Sequence, residues 1–161
     1  MRPIGSLTQY VFKSVWWVET APDTVFSVLA DVRTYPSWWQ EIRSVDDLGG
    51  GRYLMVARSL LPYDLRFVSE ERAERRRPDV IEATLSGDLE GFARWTIEPR
   101  GAGCRLVYDQ EVETHKALLN ALAPVARPAF RLNHALMMRH GQAGLRTFLA
   151  GYLRGRTSDR R

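Results

Sequence analysis

From Ser44 to Glu113 the chain runs through short segments rich in β-branched and aromatic residues, broken at intervals by glycine or proline. Gly49-Gly50-Gly51 opens the series, and the segments Arg52–Leu60 and Leu65–Arg76 flank Leu61-Pro62-Tyr63-Asp64. Arg77-Pro78-Asp79 precedes Val80–Ser86, and Gly87-Asp88-Leu89-Glu90-Gly91 leads into Phe92–Glu98. Pro99-Arg100-Gly101-Ala102-Gly103 then introduces Cys104–Glu113. Connections this short join antiparallel neighbours, since a parallel pair needs a crossover of about a dozen residues or more. The series predicts successive hairpins, and their apolar face needs another layer to cover it.

The flanking segments supply that layer. Residues 9–19 read as a strand with Tyr10, Phe12, Ser14, Trp16 and Val18 on one face, opposite Lys13 and Glu19. Thr20-Ala21-Pro22-Asp23 is a helix start, with Thr20 able to cap, and Val25, Phe26, Val28, Leu29 and Val32 follow at helical spacing. Tyr35-Pro36 is expected to break that helix, with a second, short one over Ser37–Ile42. Beyond the hairpins, Lys116–Ala123 reads as a helical segment interrupted by Pro124 and Pro128, before a long helix from Ala129 to Leu153. Phe130, His134, Met137, Gly141, Leu145, Phe148 and Tyr152 fall on one side of it. The order is α+β: a strand, two short helices, about six strands and one long helix.

Composition narrows the class. With 161 residues, 45% hydrophobic and 11% aromatic, the chain can bury a core as one domain, taken as residues 8–153 with flexible termini at 1–7 and 154–161. No apolar run is long enough to span a membrane, and Met1–Ser6 has no apolar signal region, so the expected compartment is the cytoplasm. Cys104 is alone, which excludes an internal disulfide or a CxxC site. The net charge is +4, and Arg75-Arg76-Arg77 is a basic run, but it lies in a stretch where Glu70, Glu71 and Glu74 interleave. A solvated strand end explains it, and no nucleic acid is expected as partner. His134 and His140 lie six residues apart, on different sides of a helix, and His115 makes no HExxH with them. There is no GxSxG, Walker or GxGxxG motif, so no metal and no cofactor is expected.

Several strings carry a family likeness: Tyr35-Pro36-Ser37-Trp38-Trp39, Leu61-Pro62-Tyr63, Gly87-Asp88-Leu89-Glu90-Gly91 with Arg94-Trp95-Thr96, and Asn133-His134 with Met138-Arg139-His140-Gly141. In these strings and in its order of elements the chain resembles the START-like superfamily, of helix-grip or Bet v 1-like fold, and its polyketide cyclase/dehydrase-like members. The resemblance implies a curved antiparallel sheet of about seven strands wrapped on the long C-terminal helix, with a deep apolar cavity between them. Members include lipid carriers, hormone receptors, aromatase/cyclases and ring-hydroxylase subunits, so the fold alone does not name the activity. The Cys and His spacing of a Rieske centre is absent here.

Strand alternation can be read without the family. Leu106, Tyr108, Gln110 and Val112 share one face, as do Ala93, Trp95 and Ile97, and Ile81, Ala83 and Leu85. The small inward residues Ala83, Ala93 and Gly141 suggest unfilled volume, with tight packing by neighbouring Trp and Phe as the alternative. If Pro62-Tyr63 is a two-residue turn, Arg58 faces Phe67 and Leu54 faces Glu71. Arg58 and Glu71 would then share the inner face, Arg58 as an anchor for a ligand carboxylate, phenolate or carbonyl, or as a structural ion pair. A different turn length would reverse this placement.

Arg58, His134 and Tyr108 are therefore the candidate catalytic groups. The candidate binding residues are these three with Phe12, Trp16, Trp38, Phe67 and Glu71, and also Ala83, Trp95, Gln110, Met137 and Met138. For each polar candidate a purely structural role stays open. Tyr35, Trp38 and Trp39, by resemblance, rim the cavity mouth, where they would gate entry or cap the core. The expected function is binding of a small hydrophobic molecule, polyketide-like, aromatic or lipid-like. The alternative is an aromatase/cyclase or dehydratase using the same cavity. A third possibility, a basic surface acting on a membrane or nucleic acid, predicts salt-sensitive binding. Oligomeric state is left open.

Overall fold

Turn chemistry and strand alternation shape the sheet. The computed structural model describes residues 8–73 and 77–158. Residues 1–7, Arg75 and Arg76 of the basic run, and 159–161 lie outside the described residues. The strands are β1 (Gln9–Val18), β2 (Ile42–Gly49), β3 (Arg52–Ala57), β4 (Leu65–Glu71), β5 (Val80–Gly87), β6 (Leu89–Arg100) and β7 (Gly103–Thr114). All pair antiparallel in one sheet of order β1-β7-β6-β5-β4-β3-β2. The meander thus starts at one edge, and the first strand returns to close the other. Gly49, Gly50 and Gly51 all take positive φ, which lets β2 reverse into β3 within that triplet. Gly91, at φ +150°, has a different role: a side chain there would run into the Glu111 carbonyl, so the close pairing of β6 with β7 at this point needs glycine.

Three helices cover the inner face: α1 (Pro22–Ala30), the single-turn α2 (Tyr35–Trp38) and α3 (Ala117–Ser158). Pro22 opens α1 in its first turn, where no N–H is needed. The N-cap of α1 is Ala21, without a side-chain cap. The expected cap, Thr20, is buried instead, and its carbonyl accepts from the Cys104 thiol at 3.5 Å. Pro36 likewise starts α2 rather than ending a helix, so the short helix covers Tyr35–Trp38 and β2 begins at Ile42.

The largest departure from expectation is α3, which is continuous through Pro124 and Pro128 and extends past Leu153. Each proline removes one i→i−4 hydrogen bond and crowds the carbonyl four residues back. The two are four residues apart and both are exposed, so the defects stack on one solvent-facing side. Beside them, Arg127 and Phe130 pack on the Tyr10 ring of β1.

The packing of α3 on the sheet is close at one end. Met138, Leu145 and Leu149 are buried with Trp16, Ile97 and Leu106 of the sheet. Gly141 leaves no hollow, contrary to the expectation from its size, because Trp16 and Trp39 occupy the space. A Cβ there would lie 2.7 Å from Trp39 Cε2 and 2.8 Å from Trp16 Cη2. Gly144 sits directly against the backbone carbonyl of Trp38. On the outer face of the sheet Glu82 is a buried charge, 3% exposed. Its carboxylate accepts from Arg94 Nε at 2.7 Å and from Arg72 Nη1 at 3.1 Å.

Gly144→Ala is expected to cost at least about 2 kcal/mol in urea unfolding, because backbone rather than a movable side chain fills the space. Gly151→Ala, where nothing lies within 4 Å, is expected to be neutral or stabilising by up to about 1 kcal/mol. Equal effects of the two would contradict the close approach of α3 to α2.

Candidate functional site

Beyond Gly141 the helix and the sheet separate. They flank a hollow of about 190 Å³ between the inner faces of β1–β7 and the middle of α3. Ala83 of β5 and Ala93 of β6 are register partners in its floor, and Ala57 continues the small-residue surface on β3. Phe12, Met55, Phe67 and Leu85 line the walls, with Met137 and Met138 above them on α3. An aromatic group closes one end. Trp95 lies 4.8 Å from Trp16, 6.4 Å from Trp39 and 4.6 Å from Tyr108, ring centre to ring centre. Trp39 is tied to the helix by its Nε1–H, which donates to the Met137 carbonyl at 2.9 Å.

The polar groups in this hollow are few. His134 stacks on Phe12, with centroids 3.7 Å apart and planes 8° apart. Its Nε2 lies 3.1 Å from Gln110 Oε1, an acceptor, which sets the Nε2–H tautomer and leaves Nδ1 as the acceptor. Burial pulls its pKa down to about 4, so the ring is neutral at pH 7. Burial pushes the Tyr108 hydroxyl well above its usual range, which keeps it a hydrogen-bond donor. Tyr35 is buried too and donates to the Leu29 carbonyl at 2.8 Å. Tyr63 is pushed up to about 12, again by burial. Asn133 Nδ2 donates to Ser59 Oγ at 2.7 Å, while Asn133 Oδ1 and the Tyr10 hydroxyl are buried without a partner. No Asp, Glu, Lys or Arg is among the described residues that line the hollow.

Nine of the thirteen sequence candidates therefore line one space: Phe12, Phe67, Ala83, Trp95, Tyr108, Gln110, His134, Met137 and Met138. The other four do not. Arg58 is the main correction. β3 leaves the ladder after Ala57, and the Arg58 N–H donates to the Glu41 carbonyl at 2.8 Å. Phe67 pairs with Met55, not with Arg58, because residues 58–64 form a long loop instead of a two-residue turn. The Arg58 side chain is exposed, 3.7 Å from Asp64. The same shift pairs Leu54 with Val68 and leaves Glu71 at the end of β4, outside the lining. Trp16 is buried behind Gly141, and Trp38 faces a shallow crevice on the far side of α2.

Sequence reasoning missed Met55, Ala57 and Ser69 as lining residues, and left Tyr10 and Asn133 without a role. The alternation of Met55 and Ala57 was the available signal, hidden by the wrong register. In the crevice beside Trp38, His140 Nδ1 lies 2.5 Å from Glu41 Oε1, joining α3 to the start of β2. No group of three or more metal-ligating side chains occurs among the described residues. No described helix is long and apolar enough to cross a membrane.

The curved seven-stranded antiparallel sheet gripping a long C-terminal helix is the START-like, or Bet v 1-like, helix-grip fold. A START superfamily protein from Mycobacterium smegmatis superposes with a TM-score of 0.72 at 17% identity, over 88% of this chain and 98% of its own. The Zhui aromatase/cyclase from Streptomyces sp. R1128 gives 0.64 at 17% identity, over 92% of this chain and 96% of its own. A conserved protein from Geobacillus kaustophilus gives 0.72 at 12%, over 88% and 96%. No curated protein matches the sequence. The family model described as polyketide cyclase / dehydrase and lipid transport matches residues 14–148, and the chain belongs to that family.

A histidine buried in its neutral form makes stability depend on pH. With a folded pKa near 4 and an unfolded value of about 6.5, its contribution is complete above about pH 6.5 and is lost as pH falls toward 4. His134→Phe, which keeps a ring over Phe12, is expected to flatten the fall in unfolding midpoint between pH 7 and 4. An unchanged slope in the variant would show that His134 is not held neutral.

Proposed function

We propose that this protein binds a small hydrophobic molecule in the hollow between its sheet and α3. The observation that carries this reading is the pairing of Ala83 with Ala93 at the floor of a space otherwise walled by large apolar side chains. Protein interiors are close-packed, and an apolar void forfeits dispersion contacts along its whole lining. A bound molecule restores them. The few polar groups orient it, as in most small-molecule sites, where apolar burial provides affinity and sparse hydrogen bonds provide selectivity. Family membership supports the same reading, since lipid transport is one of the activities in the family description.

A second reading, a cyclase or dehydratase acting on a poly-β-ketone, draws on Tyr108 and His134 standing in one apolar space. The buried Tyr108 hydroxyl would donate to an enolate oxygen, and neutral His134 would accept a proton through Nδ1. A chain held against these groups would react largely through proximity. The likeness to the Zhui aromatase/cyclase favours this reading. The expected anchoring by Arg58 is not part of it, because Arg58 lies outside the hollow.

The test is to denature purified protein, extract it with organic solvent and compare the extract by mass spectrometry with that of Ala83→Leu/Ala93→Leu, in which the floor is filled. A near-stoichiometric apolar compound in the native protein, absent from the filled variant, is the expected outcome. Retention of the compound by the filled variant would place binding elsewhere. Turnover lost in Tyr108→Phe with binding retained would favour the enzyme.

A further inference from the structure

We infer that the molecule held in this hollow is uncharged, of one or two rings, and donates a hydrogen bond, as a phenol or an alcohol does and a carboxylate does not. The inference rests on the binding reading above and narrows it to a chemical class. Charge comes first. A carboxylate buried here would meet no cation among the described lining residues. Burying an ion without a partner is far more costly than burying a hydrogen-bonded neutral group. Of the basic groups close to the lining, Arg131 acts on the Tyr10 hydroxyl through space but is exposed to solvent on α3, and the other two are engaged elsewhere. Arg127 stacks over the Tyr10 ring at 5.1 Å and donates to the Gln9 carbonyl at 3.2 Å. Lys116 donates to the Asp64 carbonyl and lies 3.8 Å from Asp88.

The unmatched polar atoms supply the second half. Asn133 Oδ1 is a buried acceptor without a donor, and the buried Tyr10 hydroxyl also lacks a partner. With its Nε2–H turned to Gln110, His134 offers only an acceptor nitrogen. An unpaired acceptor at Asn133, together with the hydroxyl donors of Tyr10 and Tyr108, selects a ligand hydroxyl, which both donates and accepts, since an analogue lacking it leaves these groups desolvated and unmatched. Size is the third constraint. A dry cavity of about 150 Å³ takes up benzene, so about 190 Å³ suits one ring or two fused rings rather than an extended lipid chain.

Isothermal titration at pH 7 with naphthalene, 2-naphthol and 2-naphthoate separates these elements while holding the ring system fixed. 2-Naphthol is expected to bind about tenfold or more tighter than either of the others, and Asn133→Leu is expected to narrow its advantage over naphthalene. Naphthoate binding as tightly as naphthol would overturn the inference and leave the binding reading standing, with Arg127 as the source of charge. Naphthol no tighter than naphthalene would overturn the donor requirement. Failure of all three probes to bind would instead count against the binding reading itself.

Discussion

The contact between the tryptophans and the glycines of α3 is the constraint on which the rest of the molecule depends. Trp16 and Trp39 reach within 3 Å of where a Cβ of Gly141 would stand, and Gly144 lies on the Trp38 backbone. Three elements distant in sequence meet there, and the contact of His140 with Glu41 beside the glycines adds a polar tie to the fit of shapes. The close approach also lets the Trp39 indole N–H reach a helix carbonyl. Aromatic rings bury large areas and interlock at preferred angles, so sheet and helix are closely packed at this end of the molecule.

Because one end is fixed, the geometry of the other follows. The sheet curves away from a helix it cannot approach further, and the residues that face the gap decide whether it fills. Ala57, Ala83 and Ala93 do not fill it. Polar groups that would be costly in a solid core are kept neutral there: His134 by burial, Tyr108 by the same cause. The outer face solves the opposite problem, with Glu82 buried between Arg72 and Arg94. Removing one partner from such a group costs about 3–5 kcal/mol, and no Asp, Glu, Lys or Arg is among the described residues that line the hollow.

Much of this was legible in the sequence, because both of its periods are strong. Alternation along β1, β5, β6 and β7 placed Phe12, Ala83, Trp95, Tyr108 and Gln110 on one face, and helical spacing added His134 and Met137. What failed was whatever depended on one loop or one long-range contact. The register of β3 on β4 hung on the length of the Pro62 loop, and a shift of three residues moved Arg58 from inside to outside. Pro124 and Pro128 read as breaks because a proline's cost is local in sequence, whereas the helix runs through both. Trp16 and Trp38 have the composition of a binding wall, but only the tertiary structure shows that glycine lets the helix cover them. Glu82 looks like any outward strand residue until Arg72 and Arg94 are brought over it.

Everything proposed for this protein depends on the space over Ala83 and Ala93 being an unfilled apolar hollow. Crystals pressurised with xenon test it most directly, because xenon enters apolar cavities without needing any hydrogen bond. Xenon density is expected between these alanines and Met137, with the surrounding side chains unmoved. An absence of xenon, with Phe12, Phe67 or Met55 rotated into the same space, would contradict it.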